Sequence, residues 1–288
     1  MKALVLQGGG SRGAIQAGAL HSFFEKTGGK DYDIIAGISV GALCAGNLAS
    51  CGKGADSIGR RVEVHSDLWL NRIKGDHSVY KRRFWGWLAG YWKMSLNTTQ
   101  PLQGLIEEYI DPTLIRASGR HLRVGVWNAS KDKYQEVSES CSCLRNWIRA
   151  SSAFPLILEP IKINDDWYAD GGVRNNIPFH FLKEFESISE IDIFMTSPVD
   201  HNDYQRIDLK NSKDMIVRLL EAVTSEVLYN DLVPFMHYLM HHPHCTIRVF
   251  APDFLYDAHP LKFNPSQIKS MYELGYKIQP RMFHEVIG

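Results

Sequence analysis

Apolar residues along this chain come in short, separated bursts. Residues 3–6 form a continuous apolar run, Ala-Leu-Val-Leu, that stops at a cluster of glycines. A run of that kind predicts a strand buried on both faces of a parallel sheet. Beyond the glycines, Ile15, Ala19, Leu20, Phe23 and Phe24 share one face at helical spacing, predicting a helix over 14–26. Residues 33–36 read as a second strand. The small residues of 40–50 read as a helix able to lie close to the sheet. Strand, helix, strand, helix is the opening of a doubly wound α/β fold.

The pattern continues less regularly. Residues 53–100 read as mostly helical or irregular. Residues 122–129 and 134–137 alternate as two strands joined across Ser130-Lys131-Asp132. A helix over 144–150 stops near Pro155, and a strand pair at 161–163 and 167–169 ends at Asp170. Core strands are predicted at 191–196 and 246–251, with a long helical stretch, 212–242, between them and a closing helix at 265–278. No repeat, linker or composition break divides the 288 residues. The expectation is one domain over 1–288, a three-layer α/β/α sandwich around a mostly parallel sheet.

Charge and cysteines narrow the choice of partner. Lys+Arg and Asp+Glu number 32 each, so no global field favours nucleic acid. The five cysteines are an odd count without framework spacing, as in a reducing compartment. The first apolar run is too short for a secretory leader, and no stretch reaches the roughly 20 apolar residues that span a bilayer. The expected location is cytoplasmic, with peripheral visits to a membrane surface allowed.

Between the second predicted strand and its helix stands Gly37-Ile38-Ser39-Val40-Gly41. A serine hydroxyl is a poor nucleophile until a neighbouring base accepts its proton. This pattern puts it on a sharp strand-to-helix turn, where Gly37 and Gly41 let the backbones cross and the helix N-terminus adds partial positive charge. Upstream, Gly8-Gly9-Gly10-Ser11-Arg12-Gly13 can turn backbone N–H groups towards a developing oxyanion. The same letters match a dinucleotide fingerprint, but the acidic residue that should end the second strand is absent. Asp31 and Asp33 precede that strand, and Gly37-Ile38-Ser39 follows it. A nucleotide-binding protein is therefore the alternative from a different class. Downstream, Asp170-Gly171-Gly172 offers a carboxylate. A Ser-acid-His order would need a histidine after it. His180, His201 and His259 follow, none in a motif that marks it as a base.

Taken together and in this order, the three motifs resemble those of the patatin-like phospholipase family, lipid acyl hydrolases that use a Ser–Asp dyad without histidine. Ala150-Ser151-Ser152-Ala153-Phe154-Pro155 resembles the segment leading to the acid, and Asn176-Ile177-Pro178 the segment following it. The resemblance covers residues 1–180. Gln7 departs from it, standing where many members carry Asp. It implies Ser39 as nucleophile, Asp170 as base, and an oxyanion loop from Gly8 to Gly13 in which Gly9, Gly10 and Ser11 donate. Arg12 would support that loop. It further implies phospholipase A-type cleavage of membrane phospholipids without a metal or other cofactor. An acyltransferase or short-chain esterase on the same dyad is the alternative.

Two other clusters stand out. His237 and His241 lie one helical turn apart near His242, His244 and Cys245, but Pro243 interrupts them and no zincin carboxylate accompanies them. They read as surface or packing residues, and Cys141-x-Cys143 lacks a second pair. Residues 80–94 gather three of the seven tryptophans, Trp85, Trp87 and Trp92, with Tyr91, beside Lys81, Arg82, Arg83 and Lys93. That is the composition of an interfacial anchor, or of a helix packed on the sheet with a solvated basic edge.

Overall fold

The computed structural model describes residues 1–83, 94–185, 187–199, 212–254, 256 and 259–287. Five strands make the parallel centre of its main sheet: β1 (Lys2–Leu6), β2 (Ile34–Ile38), β5 (His121–Asn128), β9 (Glu190–Phe194) and β10 (Thr246–Phe250). Antiparallel strands finish it: β6 (Lys133–Ser138), β7 (Ile161–Ile163), β8 (Asp166–Asp170) and β11 (Arg281–Met282). The order is β11-β10-β9-β1-β2-β5-β8-β7, with β6 paired to β5. A separate ribbon joins β3 (Lys81–Arg82) to β4 (Asn97–Thr98).

Alternation along the central strands builds a core on each face. Leu4 and Leu6 of β1 and Ile35 of β2 pack with residues of α1 (Gly13–Thr27), α2 (Val40–Ala49), α3 (Ala55–Asp67) and α8 (Pro265–Lys277). Ala3, Val5, Ile34 and Ala36 point the other way. They pack with Leu228, Leu232 and Phe235 of α7 (Ser212–His241) and with Phe283 of α9 (Phe283–Ile287). Helices thus cover both faces of a mostly parallel sheet, the layered α/β arrangement read from the sequence. Among the described residues no helix is long and apolar enough to cross a membrane.

The predicted elements recur with small shifts. The second strand runs to Ile38 rather than Ala36, carrying the chain to the serine without a loop. Within 53–100 the structure adds the β3–β4 ribbon, and α4 (Gln100–Tyr109) follows it with Pro101 in its first turn. A short α5 (Pro112–Ala117) is capped by Asp111, whose side chain accepts from the Thr113 and Leu114 N–H groups. Then α6 (Leu144–Ser151) precedes the β7–β8 pair.

One feature of the topology sets the site. β5 pairs with β2 over His121 to Gly125 and with β8 over Val126 to Asn128, while β6 overlaps both stretches. Since a strand has two edges, β2 and β8 must share one of them. Ile38 pairs with Gly125 and Asp170 with the next residue, Val126.

Candidate active site

Ser39 sits between β2 and α2 at φ 57 and ψ −126, a backbone conformation that few non-glycine residues adopt. The tight crossing needs its two glycines. A Cβ on Gly37 would lie 2.1 Å from the Gly41 carbonyl oxygen, and one on Gly41 would lie 2.2 Å from that of Leu6. Two neighbouring hydroxyls hold the strained residue by its own backbone. The Ser39 N–H donates to Ser151 Oγ at 2.9 Å, and Ser151 donates onward to the Gly125 carbonyl at 2.6 Å. Ser152 Oγ donates to the Ser39 carbonyl at 3.1 Å. One residue further, the Ala153 carbonyl accepts the Asp170 N–H at 3.0 Å. The end of α6 therefore clamps the elbow and the acid-bearing strand together. Sequence reading had this segment only as a resemblance and missed the two serines. The available signal was a pair of hydroxyls closing an amphipathic helix.

Asp170 ends β8 and is 2% exposed. Burial pushes its pKa up to about 7, while hydrogen bonds from the Ser39 side chain and the Gly172 N–H act in the opposite direction. The Gly172 bond, to Oδ1, is 2.8 Å long. No cation is among the groups acting on this carboxyl. A carboxylate with little solvation and no counter-ion is a stronger base than an exposed one, suited to taking a hydroxyl proton near neutral pH.

The glycine loop yields to a full count of its N–H groups. Gly8 donates to the Asn176 carbonyl at 3.2 Å, Ser11 to that of Pro260 at 2.7 Å, and Arg12 to that of Gly9 at 3.2 Å. Gly13 donates to the Gly10 and Ser11 carbonyls. Only the N–H groups of Gly9 and Gly10 lack an acceptor among the described residues, and both glycines line the cavity that contains Ser39. The expectation for Ser11 is thereby corrected, because its N–H is spent on Pro260. Arg12 is buried beneath the loop and also borders the cavity. Gln7, the departure from the resemblance, is fully buried. It accepts the Thr196 N–H at 2.6 Å and donates to Ser197 Oγ at 2.9 Å, while Thr196 Oγ1 donates to the Gly8 carbonyl at 2.5 Å.

A second buried carboxylate reaches the loop from α7. Asp231 accepts from Asn175 Nδ2 at 2.7 Å, from the Asn176 N–H, and from the Ile177 N–H at 2.9 Å. Burial pushes its pKa up to about 7 against those bonds, and Asn176 is the residue whose carbonyl takes the Gly8 N–H. Nothing in the sequence pattern announced Asp231.

The cavity opens at the carboxyl ends of β1, β2 and β9, where ligands of open α/β sheets bind. Together with the open solvent at its mouth it spans about 1580 Å³, with Ser39, Asp170, Gly9 and Gly10 on its border. Leu43, Leu68, Trp69, Ile73, Leu102 and Ile106 are among its apolar lining. His180 packs against Tyr134 and Phe179, and His259 Nδ1 accepts the Leu261 N–H at 3.1 Å; neither lines the cavity. His201 lies outside the described residues. The His241 and His242 rings bond to carbonyls of their own helix at 2.8 and 3.0 Å. Among the described residues no group of three or more His, Cys, Asp or Glu side chains is arranged to hold a metal ion. Of the 80–94 segment, residues 84–93 lie outside the described residues, including Trp85, Trp87, Tyr91, Trp92 and Lys93. Lys81 and Arg82 are exposed on β3, and Arg83 pairs with Glu159 at 2.8 Å.

A mostly parallel sheet between helices, with a serine on a glycine-flanked turn at its carboxyl edge, is an α/β architecture of the hydrolytic kind. The family model described as patatin-like phospholipase matches residues 4–183, well over half of the chain, and the chain belongs to that family. Membership supports lipid acyl hydrolase activity in general terms. Solved structures similar to it include the crystal structure of VipD from Legionella pneumophila, 16% identical with a TM-score of 0.47. That match covers 99% of this chain and 66% of VipD's, so the chain spans just under two thirds of that neighbour's length. No match is found among curated proteins.

Two measurements probe the site. With its pKa raised from 3.8 to about 7, Asp170 binds its proton more tightly in the folded protein than in the unfolded chain. Its carboxylate costs the fold nothing below pH 3.8, increasingly more up to about pH 7, and a constant amount above, at roughly 1.4 kcal/mol per unit. Asp170→Asn keeps an acceptor for Gly172, so its Tm should exceed that of the wild type above pH 7 and match it near pH 4. Equal Tm differences at both values would contradict the raised pKa. Ser151→Ala removes the clamp on the Ser39 N–H and should lower ester turnover by about 10- to 100-fold, on the scale of misplaced reacting groups. Unchanged kcat would show that the elbow holds its strain alone.

Proposed function

We propose that this protein is a serine lipid acyl hydrolase, phospholipase A-type, acting through Ser39 and Asp170. The observation that carries the reading is the buried, cation-free Asp170 carboxyl hydrogen-bonded by the Ser39 side chain, beside two uncommitted N–H groups in an apolar cavity. In this reaction Ser39 Oγ attacks the ester carbonyl and Asp170 takes its proton. The Gly9 and Gly10 N–H groups bind the oxyanion as the carbonyl becomes tetrahedral. Collapse expels the alcohol, which receives the proton from Asp170. Water then attacks the acyl-enzyme, gives its proton to Asp170, and the freed acid leaves as Ser39 is reprotonated. A pKa near 7 lets one carboxyl serve as base and then acid within a cycle. An acyltransferase would differ only in replacing water by another acceptor. A nucleotide finds little here, since most loop N–H groups are committed and the walls are apolar.

Exposed apolar residues near the cavity support a surface for the lipid. Met94, Leu96 and Leu156 are 54%, 38% and 63% exposed. Leu96 and Leu156 are backbone neighbours, because the Leu96 N–H donates to the Leu156 carbonyl at 2.9 Å, and the Arg83 N–H donates to the Leu96 carbonyl at 3.3 Å. Phe154 and Leu158, on either side of Leu156, line the cavity. Leu156 holds φ 67, so an apolar side chain is presented to solvent on a strained backbone. This patch adjoins exposed Lys81 and Arg82, which would meet anionic headgroups at about 1 kcal/mol each.

A fluorophosphonate probe should label Ser39, and Ser39→Ala should abolish labelling and lower ester hydrolysis on the order of 10³-fold or more. Undiminished hydrolysis by the purified variant would refute the assignment. A nucleotide-dependent rise in Tm without labelling would favour the dinucleotide reading instead. Leu156→Asn suits the left-handed backbone, and it should lower hydrolysis of anionic vesicles several-fold while sparing a soluble short-chain ester. The pair Trp85→Ala with Trp87→Ala should behave alike. Equal losses on both substrates would show that these residues do not act at the lipid surface.

A further inference from the structure

Donors stabilise an oxyanion only when they point at the place where its charge develops, and a run of glycines has no side chains of its own to hold that direction. The two uncommitted N–H groups of the loop differ in what fixes them. The loop's peptide bonds are trans, so each N–H points opposite to the carbonyl of the residue before it. What the Gly9 carbonyl accepts therefore sets the Gly10 N–H, and what the Gly8 carbonyl accepts sets the Gly9 N–H. The Gly9 carbonyl takes the Arg12 N–H at 3.2 Å, a bond within the loop's own turn. The Gly8 carbonyl takes a side chain from far along the chain, Thr196 Oγ1 at 2.5 Å.

Thr196 lies two residues past the end of β9 and is 1% exposed. Its hydroxyl has one proton to give. Gln7 Oε1, at 3.2 Å, is the other acceptor within reach, but it already takes the Thr196 N–H at 2.6 Å, and the Gly8 carbonyl is nearer. That Gln7 bond also fixes the backbone from which the hydroxyl projects. The fit is close. A Cβ on Gly9 would lie 2.1 Å from Thr196 Oγ1, and one on Gly8 would lie 3.2 Å from Ser39 Cβ. Adjacent residues of the loop thus meet Thr196 and the nucleophile. A Gly8 carbonyl drawn to Thr196 turns the Gly9 N–H away from it.

We propose that Thr196 is a positioning residue, whose hydroxyl, by holding the Gly8 carbonyl, aims the Gly9 N–H at the oxyanion formed on the ester attacked by Ser39. This rests on the reading of Gly9 and Gly10 as the oxyanion donors of a serine hydrolase. Acylation and deacylation both pass through a tetrahedral oxyanion, so a misdirected Gly9 N–H slows the two alike. The loss then falls on kcat, while KM, set by substrate binding and the ratio of the two steps, stays where it is. Thr196 lies beyond residue 183, outside the segment that the family model matches.

The test uses the full chain, a soluble short-chain ester and a trifluoromethyl ketone, which adds to a serine hydroxyl to give a hemiketal oxyanion. Thr196→Val keeps the branched shape and removes the hydroxyl. It should lower kcat by about 10- to 100-fold with KM unchanged, and weaken inhibition by the ketone by the same factor. Thr196→Ser, which brings the hydroxyl back, should recover most of both. Thr196→Ala is read in the same way should the valine variant not fold. In the wild type, NMR should show the Gly9 amide proton moving downfield when the ketone binds, with that of Gly8, already given to Asn176, moving little. Unchanged kcat without the hydroxyl, a loss carried by KM, no recovery with serine, or an unmoved Gly9 amide overturns the inference alone if the fluorophosphonate still labels Ser39. Absence of labelling overturns the hydrolase reading and this inference with it.

Discussion

Ile38 and Asp170 pair with consecutive residues of one strand, Gly125 and Val126, along a single edge of β5. The rest of the site depends on that shared edge. β2 arrives parallel to β5 and β8 antiparallel, so the two run towards each other and their carboxyl ends meet. Neighbouring strand residues are about 3.3 Å apart, so a nucleophile at the end of one strand and a base at the end of the other need no long loop to find each other. Ser151 reads the junction directly, bonding Ser39 on one side and Gly125 on the other. Ser39 and Asp170 thus inherit the rigidity of a sheet centre.

That arrangement has energetic consequences elsewhere. Asp192 is fully buried in β9, yet Arg248 Nε lies 2.6 Å away, Tyr32 donates to it at 2.7 Å and Lys30 stands at 3.6 Å. Its neighbour Glu190 is drawn down to about 2 by hydrogen bonds from Lys30 and Arg248. These are carboxylates serving structure, each with its counter-ions. Asp170 and Asp231 are also buried, but meet hydroxyl and amide donors rather than cations, and burial drives both upward. The distinction separates carboxylates matched by cations from carboxylates buried at a cost. Ser39 at φ 57 belongs with them, a strained backbone on the border of the cavity.

The layered fold and the three motifs were legible because each leaves a local trace. Residues 3–6 are apolar without interruption because β1 is buried on both faces, and Gly37 is required by the Gly41 carbonyl only four residues on. What escaped was non-local. The committed N–H of Ser11 depends on Pro260, far along the chain, and the loop after Asp170 depends on Asp231 in a helix whose apolar residues occupy both its faces. No window of sequence contains both partners of such a bond. His65 is the sharpest instance. It sits in an amphipathic helix where any histidine would pass as packing, and only the Trp69 bond and a buried Nδ1 without a partner among the described residues set it apart.

The same non-locality separates chemistry from selectivity. The family match ends at residue 183, after Ser39, Asp170 and the glycine loop. Yet the loop is fastened to Thr196 and Pro260, and the cavity takes part of its wall from Ser225, Leu228, Pro260, Leu261 and Phe263. A substitution before residue 183 that moved Ser39, Gly37 or Asp170 would disturb the reacting atoms themselves. A substitution at Leu228 or Phe263 would alter the space beside them and leave the strand ends on β5 where they are. The part of the chain that carries the family pattern thus holds the proposed reaction constant. Thr196 and Pro260 apart, the part beyond it is at liberty to reshape what reaches Ser39, and Phe263, stacked on the Trp69 that orients His65, is where the two meet.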